Sequence, residues 1–109
     1  MLPESTGWKV VPVAFNPYGG SDKNFATIYY QVEEFQNSTA TLQIYDAEGR
    51  NIKTVAKNTT LSSTGFLKWD GTNDEGRLVN CGQYVLFIQT VDMKGDIKEW
   101  KKQVVITSF

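Results

Sequence analysis

The chain of 109 residues contains no histidine. That absence removes the commonest general base at neutral pH and the commonest zinc ligand in one step. A single cysteine, Cys81, excludes an internal disulfide. A lone thiol risks cross-linking in an oxidising compartment, so Cys81 is expected to be buried. Charge of one sign is also lacking: eleven Lys and Arg face twelve Asp and Glu, for a net charge of −1. Without a basic stripe, the electrostatic footprint of nucleic-acid binding is missing. The local cluster Lys94, Lys98, Lys101 and Lys102 is interrupted by Asp92, Asp96 and Glu99, and reads as a solvated strand face. No run approaches the roughly 18 apolar residues of a membrane-spanning helix. The opening MLPESTG has neither the basic start nor the apolar run of a secretory signal. Residues 1–7 are expected to be flexible. The chain then reads either as cytoplasmic or as a mature or excised piece of a larger protein.

Sustained 3.6-residue periodicity is missing too. What is present is period-2 alternation over short runs, separated by turn residues, which argues for an all-β domain. With 40% hydrophobic and 13% aromatic residues, the composition is that of a globular protein. At this length one domain spanning residues 1–109 is expected.

Seven runs are legible. Trp8 to Phe15 places Val11, Val13 and Phe15 on one face, and Pro12, unable to donate a ladder hydrogen bond, marks an edge strand. Phe25 to Val32 puts Ile28, Tyr30 and Val32 on one side. Thr39 to Asp46 alternates most cleanly, with Ala40, Leu42 and Ile44 pointing inward. Asp46 to Arg50 forms a hairpin turn with Gly49 free to take positive φ. Asn51 to Lys57 returns from it, and Asn58-Thr59-Thr60 opens a loop. Leu61 to Trp69 gains its apolar content only at Phe66, Leu67 and Trp69. Gln83 to Asp92 is apolar on both faces and is placed centrally. A second hairpin turn, Met93 to Asp96, leads to Ile97 to Thr107, with Trp100, Val104 and Ile106 inward. About seven short strands with turns every eight to twelve residues define a two-sheet, immunoglobulin-like or fibronectin-type-III-like sandwich.

The longest stretch without alternation runs from Trp69 to Tyr84. It holds Asp70, Gly71, Asn73, Asp74, Glu75, Gly76 and Gly82, with an aromatic at each end. Trp69 and Tyr84 are expected to anchor it in the core, Trp69 against Tyr84 and the last strand. Asp70, Gly71, Gly76 and Gly82 would shape the backbone between.

LKWDGTNDEGRLVNCGQYVLFIQTVD resembles the Trp-Asp-Gly…Gly…Gly-x-Tyr signature of the FlgD-like immunoglobulin domain. FNPYGGSDKNFATIYYQV is similar to that family's Asn-Pro opening, and ATLQIYDAEGRNIKTV to its central hairpin. The C-terminal sorting domains of the type IX secretion system share the last two patterns. One departure stands out. Relatives often carry an acidic Asp-Gly-Asp-Gly-type loop after Asn-Pro, whereas this chain has Tyr18-Gly19-Gly20-Ser21-Asp22, which argues against a metal there. The resemblance implies a non-catalytic, extracytoplasmic bacterial module near the C-terminus of a larger protein, as in exported Bacteroidetes proteins. It would act as a spacer, an assembly contact or a secretion signal, with a protein partner or the secretion and cell-surface machinery, and with no cofactor.

Three other chemistries bear on these residues. Asp70, Asn73 and Asp74, with Glu75, supply oxygen ligands for a calcium-stabilised adhesion loop. Counting from Asp70, however, an EF-hand would need Gly at position 75 and Glu at position 81, where Glu75 and Cys81 stand. Trp8, Tyr18, Tyr29, Tyr45 and Trp100 could stack on sugars in a carbohydrate-binding module, although aromatics are routine cross-strand partners. Catalysis lacks its parts: Glu33 and Glu34 are neighbours that point apart, Cys81 has no histidine, and Ser62 and Ser63 have no base. Two Asn-x-Ser/Thr sequons, at Asn37 and Asn58, fall in expected loops and matter only in a eukaryotic secretory setting.

Overall fold

A computed structural model describes residues 8–19, 25–30, 38–61 and 65–108. The expectations for the flexible start and for Glu33, Glu34, Asn37, Ser62 and Ser63 lie outside the described residues.

Among the described residues eight strands form two sheets. β1 (Trp8–Val11), β3 (Ala26–Tyr30) and β6 (Phe66–Trp69) make a three-stranded antiparallel sheet in the order β1-β3-β6. β2 (Ala14–Phe15), β4 (Thr39–Asp46), β5 (Asn51–Thr60), β7 (Gly82–Val91) and β8 (Ile97–Ile106) make the second, in the order β2-β8-β7-β4-β5. A short 3₁₀ turn, Pro17–Gly19, follows β2.

The eighth strand comes from the first run, which is two strands and not one edge strand. Pro12 donates no hydrogen bond, and the chain leaves the first sheet there, across a cis Val11–Pro12 peptide, to enter the second. The inward parity changes at this crossing. Trp8 and Val10 are buried before it and Phe15 after it, while Val11 and Val13 are exposed and share no buried face with Phe15. β2 lies parallel to β8, and the N–H groups of Val105 and of Thr107, just past the end of β8, donate to the Val13 and Phe15 carbonyls at 2.8 and 2.9 Å.

β4 has the expected bounds, and Ala40, Leu42 and Ile44 are its buried residues. β7 is central, paired with β4 on one side and β8 on the other. β5 runs three residues past its expected end at Lys57. Asn58 is in the strand and not in a loop: it takes φ +48° at a register shift, and its N–H donates to Thr41 Oγ1 at 3.1 Å. That bulge lets β-branched Thr59 and Thr60 rejoin the ladder opposite Ala40 and Thr39.

The core lies between the sheets, where Ile28, Leu42, Ile44, Trp69, Leu86, Ile88, Val104 and Ile106 are the largest fully buried side chains. Trp8 closes one end against Tyr30 and Trp100, with ring centroids 4.9 and 6.3 Å away. Trp69 closes the other. It stands edge-on to Tyr84 at 5.7 Å and to Phe15 at 6.0 Å. Beside the expected Tyr84, the ring packed on Trp69 is Phe15, carried on the strand that pairs with β8.

Candidate functional site: the crossover between β6 and β7

The chain crosses from one sheet to the other between Trp69 and Gly82, and Trp69, Asp70, Gly71, Gly76 and Tyr84 each make a hydrogen bond there. Trp69 Nε1 donates to the Thr72 carbonyl at 2.9 Å, which binds the buried ring to the loop's first turn. Asp70 Oδ1 accepts from Thr72 N and Oγ1 at 3.2 and 2.6 Å. Gly71 takes φ +84°, and a Cβ there would lie 2.9 Å from Pro17 Cβ. The Asn-Pro turn and the Trp-Asp-Gly turn, far apart in sequence, therefore pack directly on one another, and only glycine admits the approach.

The middle of the loop is a tight turn. Asn73 Oδ1 accepts from the N–H groups of Glu75 and Arg77 at 2.9 and 3.0 Å. Asn73 N donates to the Arg77 carbonyl at 2.8 Å, and Gly76 N to the Asn73 carbonyl at 2.9 Å. This turn docks on the outer edge of β5. Asp74 N donates to the Ile52 carbonyl, and Asp74 Oδ1 accepts from Thr54 N, each at 3.0 Å. A short edge is thereby covered that would otherwise offer free backbone groups.

The tail is held from two sides. Val79 N donates to the Gly71 carbonyl at 2.9 Å. The Tyr18 hydroxyl donates to the Val79 carbonyl, and Tyr84 Oη donates to the Asn80 carbonyl at 2.6 Å. Burial pushes both tyrosine hydroxyls above their ordinary range, helped by Cys81 beside Tyr18 and by the Asp46 charge near Tyr84. Cys81 is exposed, contrary to the expectation of a buried thiol. It precedes the first residue of β7, so strand alternation does not turn it inward, and its sulfur lies 3.9 Å from Tyr18 Oη.

Asp70, Asn73 and Asp74 thus face three different sets of backbone groups. Among the described residues no group of three or more His, Cys, Asp or Glu side chains converges as a metal cage requires. The aromatics weighed for sugar stacking are dispersed. Trp8 and Trp100 meet inside the sandwich, Tyr29 is on the outer face of the three-stranded sheet, and Tyr45 packs edge-on to Phe87 on the other sheet. Among the described residues no helix is long and apolar enough to cross a membrane.

The sequence reading missed the turn at Asn73–Arg77 and its hold on β5. The signal was present three times. Asp46-Ala47-Glu48-Gly49-Arg50, Asn73-Asp74-Glu75-Gly76-Arg77 and Asp92-Met93-Lys94-Gly95-Asp96 share an Asx at the first place and a glycine at the fourth. In all three the Asx Oδ1 accepts from the third and fifth N–H groups, and the glycine has φ between +81° and +87°.

Two packed sheets, a first strand divided between them, and a tyrosine at the start of β7 bonded back to the chain four residues upstream define an immunoglobulin-like domain. The family profile of the FlgD Ig-like domain matches residues 14–94. The chain belongs to that family. No curated relative matches it by sequence. Among solved structures it is similar to PorZ of Porphyromonas gingivalis, an essential bacterial surface component of the type-IX secretion system, at 21% identity and TM-score 0.56. It is similar to dimeric latent PorU of the same organism at 21% identity and TM-score 0.64. CopC from Methylosinus trichosporium OB3b gives 16% identity and TM-score 0.55. The chain is covered over 93% and 94% by PorZ and PorU but spans only 11% and 9% of them, whereas it spans 88% of CopC. At these identities the likeness is one of fold.

Proposed function

We propose that the chain is a non-catalytic accessory module of a larger exported bacterial protein, working outside the cytoplasm through contacts with protein partners or with type IX secretion and cell-surface machinery. The observation that carries this reading is the match of nearly the whole chain to about a tenth of PorZ and of PorU, as expected of a portable domain. The site geometry supports it. The polar side chains of the family motif are occupied in holding backbone, so the signature residues build a rigid platform and not a reacting centre.

The test is to append the chain to a periplasm-directed fluorescent protein in a type IX-proficient Bacteroidetes strain and in its secretion mutant. The fusion is expected at the surface or in the medium only in the proficient strain. Identical distribution in both strains refutes the link to that machinery.

A further inference from the structure

The two outer sheet faces differ in charge. On the three-stranded sheet the residues at outward register positions fall in two rows, with Thr27 alone among them buried. Lys9, Tyr29 and Phe66 form one; Val11, Thr27 and Lys68 form the other. Val11, Tyr29 and Phe66 are 42%, 46% and 37% exposed. Tyr29 and Phe66 stand edge-on at 6.3 Å, and the Lys68 ammonium lies 4.4 Å from the Phe25 ring centroid and 5.5 Å from that of Phe66. Among the described residues the lysines at opposite corners are the only charges in these rows. Asp70, the next residue outward past β6, turns its carboxylate onto Thr72. The outer face of the five-stranded sheet has both signs, with Lys101 and Glu99 on β8, and Glu99 accepts from Gln89 at 3.1 Å.

An exposed aromatic and aliphatic centre whose own rows carry charge of one sign has the anatomy of a protein interface, with those charges selecting the partner's sign. We infer that the outer face of the three-stranded sheet is the module's docking surface for an acidic protein, one presenting carboxylates around an apolar centre. The charge complementarity is specific to this class. Two lysines are too few for an anionic membrane, where clusters of about four to eight are the rule. Beyond them the rows offer a repeating polyanionic sugar only the exposed hydroxyl of Tyr29, Thr27 being buried. This inference rests on the accessory-module reading and names the partner's chemistry.

The probe is the purified fluorescent fusion, titrated onto whole cells of the type IX-proficient strain and read by flow cytometry. Lys9→Glu/Lys68→Glu and, separately, Tyr29→Ser/Phe66→Ser are each expected to weaken binding about tenfold or more, because like charges or an eroded centre oppose the docked state. Lys101→Glu on the other face should stay within about twofold, as isolated surface charges do. Thermal unfolding of each variant separates lost docking from lost fold. Protease shaving of the cells should abolish binding of the unmodified fusion. The inference is overturned if folded variants bind like the parent, or if binding survives shaving, which would assign the face to an anionic polysaccharide. No binding, with export still dependent on the module, also overturns it and leaves the accessory reading standing. Export independent of the module sinks that reading instead.

Discussion

The turns at Asp46–Arg50 and Asn73–Arg77 are built alike and hold different things. Both carry the ending Glu-Gly-Arg, and both give two N–H groups to one Asx oxygen. The first joins two strands that are already neighbours in one sheet. It gains ion pairs from Arg50 to Asp46 Oδ2 at 2.8 Å and to Glu48 Oε1 at 2.7 Å, but the Arg50 side chain is 73% exposed. The second is set inside a crossover between sheets. Its partner is another part of the fold, β5, reached through Asp74. An identical local device is thus a closure in one place and a strut in the other, and the surroundings decide how much stability depends on it.

Substitutions can break or sharpen that contrast. The largest effect is expected at the crossover's anchor. Trp69→Ala removes a ring that is 1% exposed and packed on Tyr84 and Phe15, and should cost about 3–5 kcal/mol in denaturant unfolding. Gly71→Ala comes next. The positive φ and the clash with Pro17 together should cost about 2–4 kcal/mol, and an unchanged midpoint would show that the two motif turns are not packed as described. Asn73→Ala strips two N–H groups of their acceptor and should cost about 1–2 kcal/mol. Its hydrogen exchange should rise at Thr54 on β5 as well as within the turn, whereas the matching change at Asp46 should loosen only its own hairpin.

The smallest effect is a pH dependence. Backbone N–H donation from Arg50, then its guanidinium, holds the Asp46 carboxyl below the usual carboxylate range. A depressed carboxyl stabilises the fold above its unfolded pKa, about 3.9, and that stabilisation is lost as pH falls through the folded value. Asp46→Asn keeps an oxygen for the turn, as Asn73 does naturally, and should flatten the acid side of the stability curve below about pH 4. A slope as steep as the parent's would assign the acid sensitivity to other carboxylates.

The all-β class, the bounds of β4, the central place of β7 and the inward set around Leu42 and Leu86 were legible because alternation is imposed by burial on one face. The family was legible from three short motifs in order. What escaped was non-local. Pro12 announces an interrupted ladder, but nothing near it says that the chain changes sheets. Asn58 looks like a loop residue because its positive φ is that of one, although the strand resumes after it. Cys81 was misplaced because it was judged by redox risk, when its position is set by where β7 begins. In the crossover the ring anchors and the glycines were readable. The docking of Asp74 on β5 was not, since it joins residues twenty positions apart.

The parallel pairing of β2 with β8 has a mechanical consequence. When load is applied along the polypeptide and has passed β1, the parallel neighbours β2 and β8 are drawn past each other lengthwise. The bonds from Val105 to Val13 and from Thr107 to Phe15 then share the force and must break together, whereas a hairpin pulled open at its end loses its bonds one at a time. The strand that Pro12 splits off is short, and load from the N-terminal side reaches it only after β1 has come away from β3.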